Sequence, residues 1–350
     1  AYRYRERAVD QSWNLSSPSS ETTGTTSGEH ALLGQWSLGN DLRDGSENLL
    51  HATSTGTGFA ENDTHSGATF DGSNAYIALP YHVADMQQMT FSAWVKPTSS
   101  TAWQRIFDFG RDTENYLMLT PSNGNRMRLE ICKDGIKQGV NATKRLTANS
   151  WIHVTVTLAT GEARIYLDGE LNARSSEVTL TPSDVAPTVC YLGRSMFDAD
   201  PLFQGTIGDV CLYNYALDEN EVQTLYYHDQ LTAAAELAQT PMNRDVRETL
   251  LTAITVTENA IGTSDPITIA GSLKSLQTAM TRARNSATLY APLGRILAWP
   301  ATLAATHPQN DTEARETYEK QYTAIRTAYE EGEYEHSAIS STVTSVKTFT

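Results

Sequence analysis

The sequence predicts a mainly β protein with an α-helical C-terminal part, and three observations carry that reading. Short segments in which apolar and polar residues alternate recur from about Ala31 to about Tyr227. Turn chemistry separates them, as in Ser122-Asn123-Gly124-Asn125, Lys133-Asp134-Gly135 and Asp168-Gly169. From Asp218 onward the apolar residues recur instead at spacings of three and four, the helical period. Ten or so short strands without intervening helices imply two antiparallel sheets packed as a sandwich or jelly roll. The expected organisation is an N-terminal segment and linker over 1–30, the sandwich over 31–228 and a helical bundle over 229–350.

The N-terminal segment opens with alternating aromatic and basic residues, Tyr2, Arg3, Tyr4 and Arg5, which suit a helix or an added strand. The stretch SSPSSETTGTTSG that follows has the composition of a surface loop or linker. Trp36 and Leu38 then share one face of a strand. The clearest strands lie between Phe70 and Pro97, where Tyr76, Ile77 and Leu79 form one segment and Phe91, Trp94 and Val95 another. Further strands are expected around Arg105–Phe109, Tyr116–Leu119, Arg126–Cys132, Ile152–Leu158, Ala163–Leu167, Cys190–Leu192 and Thr206–Tyr213. The run RIYLDGEL reads as a hairpin, with Asp168-Gly169 between two apolar arms.

Helix signals begin at Asp218, which forms a capping-box pattern with Glu221. Thr240-Pro241 and Asp265-Pro266 each read as an N-cap followed by proline at the first helical position. Val246, Leu250, Ile254 and Ile261 share a helical face, as do Ile269, Leu273, Leu276, Met280 and Ala283. Tyr318, Tyr322, Ile325 and Tyr329 form a third apolar face after a cap near Asp311 or Thr312. Three prolines within Leu289–Pro308 are expected to break the helix there, and the last 17 residues suit a helix or a strand.

Composition narrows the function. A net charge of −15 argues against nucleic acid, whose binding draws most of its affinity from phosphate neutralisation. No apolar run approaches the length that crosses a bilayer, and the N-terminus lacks a signal peptide's apolar core, as in a mature or trimmed form. Cys132, Cys190 and Cys211 lie far apart, so buried free thiols are the first expectation and a single disulfide the alternative.

A set of short motifs, ordered along the β half, goes further. It runs through Trp36-Ser37-Leu38, Asp44-Gly45-Ser46-Glu47-Asn48 and His51-Ala52, then Phe70-Asp71-Gly72, Tyr76-Ile77 and Phe91-Ser92-Ala93-Trp94-Val95-Lys96. Trp151-Ile152-His153-Val154, Ile165-Tyr166-Leu167-Asp168-Gly169 and Leu192-Gly193-Arg194 follow. Phe203 to Val210 and Leu212 to Leu217 complete it. In this order the motifs resemble the laminin-G-like, concanavalin A-like lectin/glucanase jelly-roll modules of bacterial secreted glycan-handling proteins. The resemblance implies two antiparallel sheets, one of them concave, and often one structural Ca²⁺. It departs at Glu47, where glycine is usual, and at Gly208, where an acidic residue is common. The helical half more loosely resembles three-helix modules appended to bacterial cell-surface and polysaccharide-degrading enzymes.

On that resemblance the calcium ligands would be Asp71 and Asp209 through side chains, with the Asp44–Asn48 turn completing the shell. The residues alone also allow Asp44 and Asp71 to serve only as turn hydrogen-bond acceptors. A sugar site requires an aromatic face and planar polar groups. Trp103 and Tyr116 are the exposed aromatic candidates, and Arg105, Arg128 and Arg194 the donors, whereas Trp36, Trp94 and Trp151 are expected in the core. No catalytic centre is legible: no strand carries the alternating carboxylates of a concanavalin A-like glycosidase, and HExxH, GxSxG and the P-loop pattern are absent. Glu130 with Asp134, and Asp168 with Glu170, read as solvated turn charges. The expected role is non-catalytic carbohydrate binding in a bacterial secreted or cell-surface polysaccharide-handling system, beside other domains or enzymes of that system. A structural spacer or protein-interaction module is one alternative. A glycosidase with acids drawn from separate loops is the other.

Overall fold

The computed structural model describes residues 2–4, 22–24, 30–60, 65–263, 266–298, 312–335, 338–339 and 341. The chain divides into two compact units, Ala1–Val222 and Gln223–Thr350. The first unit begins with β1 (Tyr2–Tyr4) and β2 (Thr22–Gly24), which pair antiparallel, so a short strand stands where the Ser/Thr-rich segment suggested only loop. There follow β3 (Leu32–Trp36), β4 (Thr53–Thr55), β5 (Gly58–Phe59), β6 (Ala68–Asp71), β7 (Tyr76–Leu79), β8 (Met89–Pro97), β9 (Phe107–Asp112) and β10 (Asn115–Thr120). Next come β11 (Arg128–Lys133), β12 (Ile136–Asn141), β13 (Ile152–Ala159), β14 (Glu162–Leu167), β15 (Glu170–Ser175), the single turn α1 (Pro182–Val185), β16 (Val189–Leu192) and β17 (Gln204–Tyr213).

Two antiparallel sheets form the sandwich. One has seven strands in the order β12-β11-β10-β9-β16-β7-β4; the other has eight, β15-β14-β13-β8-β17-β6-β5, with β3 added to the far half of β17. Alternation decides which side chains meet between them. Ile77, Phe107, Phe109, Leu117, Leu119, Leu129, Ile131 and Leu192 point inward from the seven-stranded sheet. Phe91, Val95, Val154, Val156, Ile165, Ile207 and Leu212 do so from the eight-stranded one, all in one buried cluster. Trp36 belongs to that cluster, fully buried, with its Nε1–H donated to the Leu50 carbonyl at 2.8 Å. Trp94 is buried as expected, though outside that cluster, and stacks on His65 at 3.8 Å between centroids, whereas Trp151, also expected in the core, is only half-buried.

The hairpins follow their turn chemistry. Asp134-Gly135 joins β11 to β12 and Asp168-Gly169 joins β14 to β15, with positive φ at all four residues (50°, 78°, 51° and 80°). That is the backbone of the two-residue turn whose twist matches the strands on either side. Cys132, Cys190 and Cys211 are buried free thiols.

The C-terminal helices are α2 (Glu219–Ala238), α3 (Arg244–Thr263), α4 (Pro266–Leu297) and α5 (Thr312–Glu330). The capping box before α2 closes from both sides: Glu221 N–H donates to Asp218 Oδ1 at 2.9 Å, and Asp218 N–H to Glu221 Oε2 at 2.8 Å. Thr240-Pro241 does not start α3. Thr240 Oγ1 donates back to the Leu237 carbonyl, and Asn243 caps α3 by accepting the Asp245 and Val246 N–H groups. Leu250 and Ile254 of α3 pack with Leu276, Met280 and Ala283 of α4. Residues 299–311 lie outside the described residues; α4 continues through Pro292 and ends at Leu297, inside the stretch expected to break it. Tyr290, Leu293 and Leu297 are buried there, and Tyr322, Ile325 and Tyr329 of α5 pack on them, so apolar packing outweighs the missing proline N–H. The C-terminal residues expected as helix or strand lie mostly outside the described residues. Among the described residues no helix is long and apolar enough to cross a membrane.

Candidate functional site

The inward commitment of alternate residues leaves a second set on the outer face of the seven-stranded sheet. Strand register places Thr53, Ala78, Tyr191, Asp108, Met118, Glu130 and Gly139 in one row across it. Tyr76, Tyr116, Arg128 and Cys132 share this face by parity with their neighbours. The face is divided into a covered part over β9–β11 and an open part over β4, β7 and β16.

The cover is the segment from Ser195 to Asp200. Met196 and Phe197 pack on Tyr116, Met118 and Cys132, and the Tyr116 and Phe197 rings meet edge to face at 5.4 Å. Arg105, 2% exposed, ties the segment down: Nε donates to Asp108 Oδ2 at 3.1 Å and an NH2 group to Asp200 Oδ2 at 2.6 Å. The Met196 N–H and the Ser195 hydroxyl complete the tie, donating to Asp108 and Asp200. Two carboxylates facing one guanidinium leave an excess negative charge in a buried place. Burial pushes the Asp108 carboxyl up to about 7, against the opposing pull of Arg105.

Glu130 is the second buried carboxylate of the row, 5% exposed, and is not the solvated turn charge expected. It accepts the Tyr116 hydroxyl at 2.6 Å and Arg128 Nε at 2.7 Å, with Lys137 Nζ at 3.5 Å. Burial raises its pKa, but these donors outweigh burial and hold Glu130 below its ordinary value, while burial and the Glu130 bond push the Tyr116 phenol up. Four of the five residues expected to bind a ligand are thus placed as follows. Arg105 and Tyr116 lie under the covering segment, Tyr116 being 1% exposed rather than at the surface, Arg128 joins Tyr116 on Glu130, and Trp103 is 39% exposed in the loop before Arg105.

Arg194, the fifth, belongs to the open part. Its guanidinium carbon lies 4.9 Å from the Tyr76 ring centroid and 5.2 Å from that of Tyr191, the two rings being 5.5 Å apart at 80°. All three side chains are half-buried, and Thr53 and Thr55 on the neighbouring edge strand are exposed. A Thr55 hydrogen bond, then the Arg194 charge, hold the Tyr76 phenol below its ordinary value against slight burial. Gly193 permits this placement: it has φ of 82°, and a Cβ there would come 2.5 Å from the Phe70 ring. Tyr76 and Tyr191 escape a reading of hydrophobicity alone, because each stands beside core residues in an apolar strand. The signal that finds them is parity: Ile77 and Leu192 face inward, so Tyr76 and Tyr191 face out.

The residues expected to hold calcium are engaged otherwise. Asp71 Oδ1 accepts the N–H groups of Ser73, Asn74 and Ala75 at 2.8–3.0 Å, and Oδ2 the Ser73 hydroxyl at 2.6 Å. Asp44 accepts N–H groups from Gln35, Ser46 and Leu50 and the Ser46 hydroxyl. Asn48 donates its amide to the Leu32 and Leu33 carbonyls. Asp209 sits in the β17 bulge at φ 48°, its N–H donated to the Ser37 carbonyl. Calcium requires a ring of oxygen lone pairs, whereas Asp44 and Asp71 are ringed by N–H and O–H donors. As placed, these two carboxylates do not fit a calcium shell, and among the described residues no three His, Cys, Asp or Glu side chains gather to hold a metal ion.

A two-sheet antiparallel sandwich with an aromatic and polar outer face defines a jelly-roll module of the lectin and glucanase type. Residues 71–223 match the model of the concanavalin A-like lectin/glucanases superfamily. Among solved structures the chain is similar to domain 4 of AbnA, a GH43 extracellular arabinanase from Geobacillus stearothermophilus, solved in complex with arabinotriose. That likeness has 22% identity and a TM-score of 0.51, covering 57% of this chain and 99% of that domain. It is also similar to the CBM40 of Ruminococcus gnavus IT-sialidase bound to α2,3-sialyllactose (20% identity, TM-score 0.38, 41% of this chain and 84% of that one). Trypanosoma rangeli sialidase is a third (21%, 0.44, 56% and 32%). These likenesses are of fold. A comparison with curated protein sequences gave no match.

Two outcomes follow. Asp108 binds its proton more tightly folded than unfolded, so its contribution to stability is complete below the unfolded value of 3.8 and is lost as pH rises through about 7. Urea unfolding at about pH 5 and about pH 8 should show the protein less stable at the higher pH, with a slope on the order of 1 kcal/mol per pH unit inside the window. Asp108→Asn should remove that slope, and an unchanged slope would contradict the assignment. Asp71→Ala should lower Tm through the lost turn, while adding Ca²⁺ or EDTA to the unmodified protein should leave Tm in place. A calcium-dependent rise in Tm that Asp71→Ala abolishes would show that the turn opens to bind the ion.

Proposed function

We propose that the jelly-roll half is a non-catalytic carbohydrate-binding module whose site is the open part of the outer face, built from Tyr76, Tyr191 and Arg194. The observation that carries this is the contrast within one face: the β9–β11 part is sealed by Met196 and Phe197, whereas the β4–β7–β16 part presents half-buried aromatic rings and a planar guanidinium. Sugars are bound by such combinations, rings meeting the C–H faces and planar donors the hydroxyls. The similar arabinanase domain, solved with arabinotriose, supports the same use of the fold.

Recognition without cleavage fits the carboxylates. A glycosidase requires two carboxyl groups on either side of an accessible bond. Asp108 and Glu130 are both buried, and each is held by arginine or tyrosine donors. The other catalytic look-alike, Ser92 Oγ at 2.9 Å from His153 Nε2, is buried in the eight-stranded sheet and shares the hydroxyl with Thr155. On this reading the module serves an extracellular or surface polysaccharide-handling system, bringing an attached or neighbouring activity to its polymer.

Affinity electrophoresis of the full chain in gels carrying a panel of polysaccharides tests the reading. At least one polymer should retard the protein. Tyr191→Ala should weaken that retention at least tenfold, or about 1.4 kcal/mol, with an unchanged circular dichroism spectrum, while Trp103→Ala should leave most of it. Retention lost with Trp103→Ala and kept with Tyr191→Ala would move the site to the Trp103 loop.

A further inference from the structure

The tyrosines do more than offer stacking faces, because Arg194 already lies over both of them. The other arginines of this face are neutralised by carboxylates, Arg105 by Asp108 and Asp200 and Arg128 by Glu130. Arg194 is different: among the described residues no carboxylate lies within ion-pair distance of it, in a chain with 41 acidic and 26 basic residues. Both rings pack against the guanidinium and one of its N–H groups bonds the Tyr76 hydroxyl, which leaves the remaining donors for a ligand. A guanidinium fork matches the two oxygens of a carboxylate, and the pair is charge-assisted. Neutral hydroxyls would leave the positive charge uncompensated.

We propose that the Arg194 subsite selects a carboxylate-bearing sugar, a uronate or sialate residue, within the glycan. The inference rests on the carbohydrate-binding reading and deepens it. Arg194 supplies N–H donors to the carboxylate, Tyr76 and Tyr191 pack against the guanidinium, and the exposed Thr53 and Thr55 border the subsite on the edge strand. With a net charge of −15 the chain as a whole repels an anion, so an acidic sugar gains only where a cation such as Arg194 meets it locally.

The test pairs each acid with its own neutral form. Calorimetry of the full chain would compare polygalacturonate, alginate, hyaluronan and sialyllactose with their carboxyl-reduced counterparts, beside neutral arabinan and a sulfated polymer. The expected result is that at least one acidic ligand binds tenfold or more tightly than its reduced form. Arg194→Met should erase that margin, and Arg194→Lys, which keeps the charge without the fork, should keep part of it; circular dichroism confirms that both fold. Equal binding of acidic and reduced forms overturns the proposal, as does a margin that survives Arg194→Met or a preference for the sulfated polymer. Binding of neutral glycans alone also overturns it while leaving the carbohydrate-binding reading standing. Failure of every glycan, acidic or neutral, removes that reading too.

Discussion

Arg105 lies beneath the outer face of the seven-stranded sheet with its guanidinium between Asp108 and Asp200, and the rest of the face is arranged around that contact. A buried arginine is tolerable only with its charge met and its donors used. Asp108 comes from the sheet and Asp200 from the segment that crosses it, so meeting the charge also fixes the segment. Met196 and Phe197 are thereby held over Tyr116 and Met118, and the strands β9 to β11 lose their access to solvent. Without this tie the sheet would offer one continuous polar and aromatic surface. With it, β9 to β11 are covered while β4, β7 and β16 remain open.

The open strands obey the same rule of compensation by other means. Gly193, turning tightly against Phe70, carries the chain from the end of β16 into Arg194, which comes to rest on two tyrosines rather than on a carboxylate. An aromatic face attracts a cation without consuming its N–H groups as a carboxylate would. The distinction separates an arginine met by carboxylates from one with N–H groups left for a ligand. Both kinds occur here on a single face, reached from the two ends of one short stretch between β16 and β17.

Much of the architecture was legible in the residues. The Asp-Gly turns, the alternation of Phe107 with Phe109 and Leu117 with Leu119, and the Asp218–Glu221 cap all encode local geometry that the packed protein keeps. The site was less legible, because it depends on which strands become neighbours. Arg194 was singled out, but Tyr76 and Tyr191 were hidden among apolar neighbours, and their meeting requires the pairing of β7 with β16, 115 positions apart at Tyr191 and Tyr76. Arg105 and Tyr116 suggested ligand groups by type, yet long-range partners bury them: Asp200 for the one and Phe197 for the other. Pro292 shows the same limit in the helical half, where its local preference gives way to the packing of Tyr290, Leu293 and Leu297.

The central claim is that ligand meets the open strands and not the covered ones. A nuclear magnetic resonance titration that follows arginine Nε–H and backbone amide signals against a bound oligosaccharide tests it most directly. The account predicts that Arg194 Nε–H and the amides of Thr55, Tyr76 and Tyr191 shift together, while those of Tyr116, Glu130 and the helices stay in place. Shifts centred on Tyr116 and Glu130, with Arg194 unmoved, would contradict it.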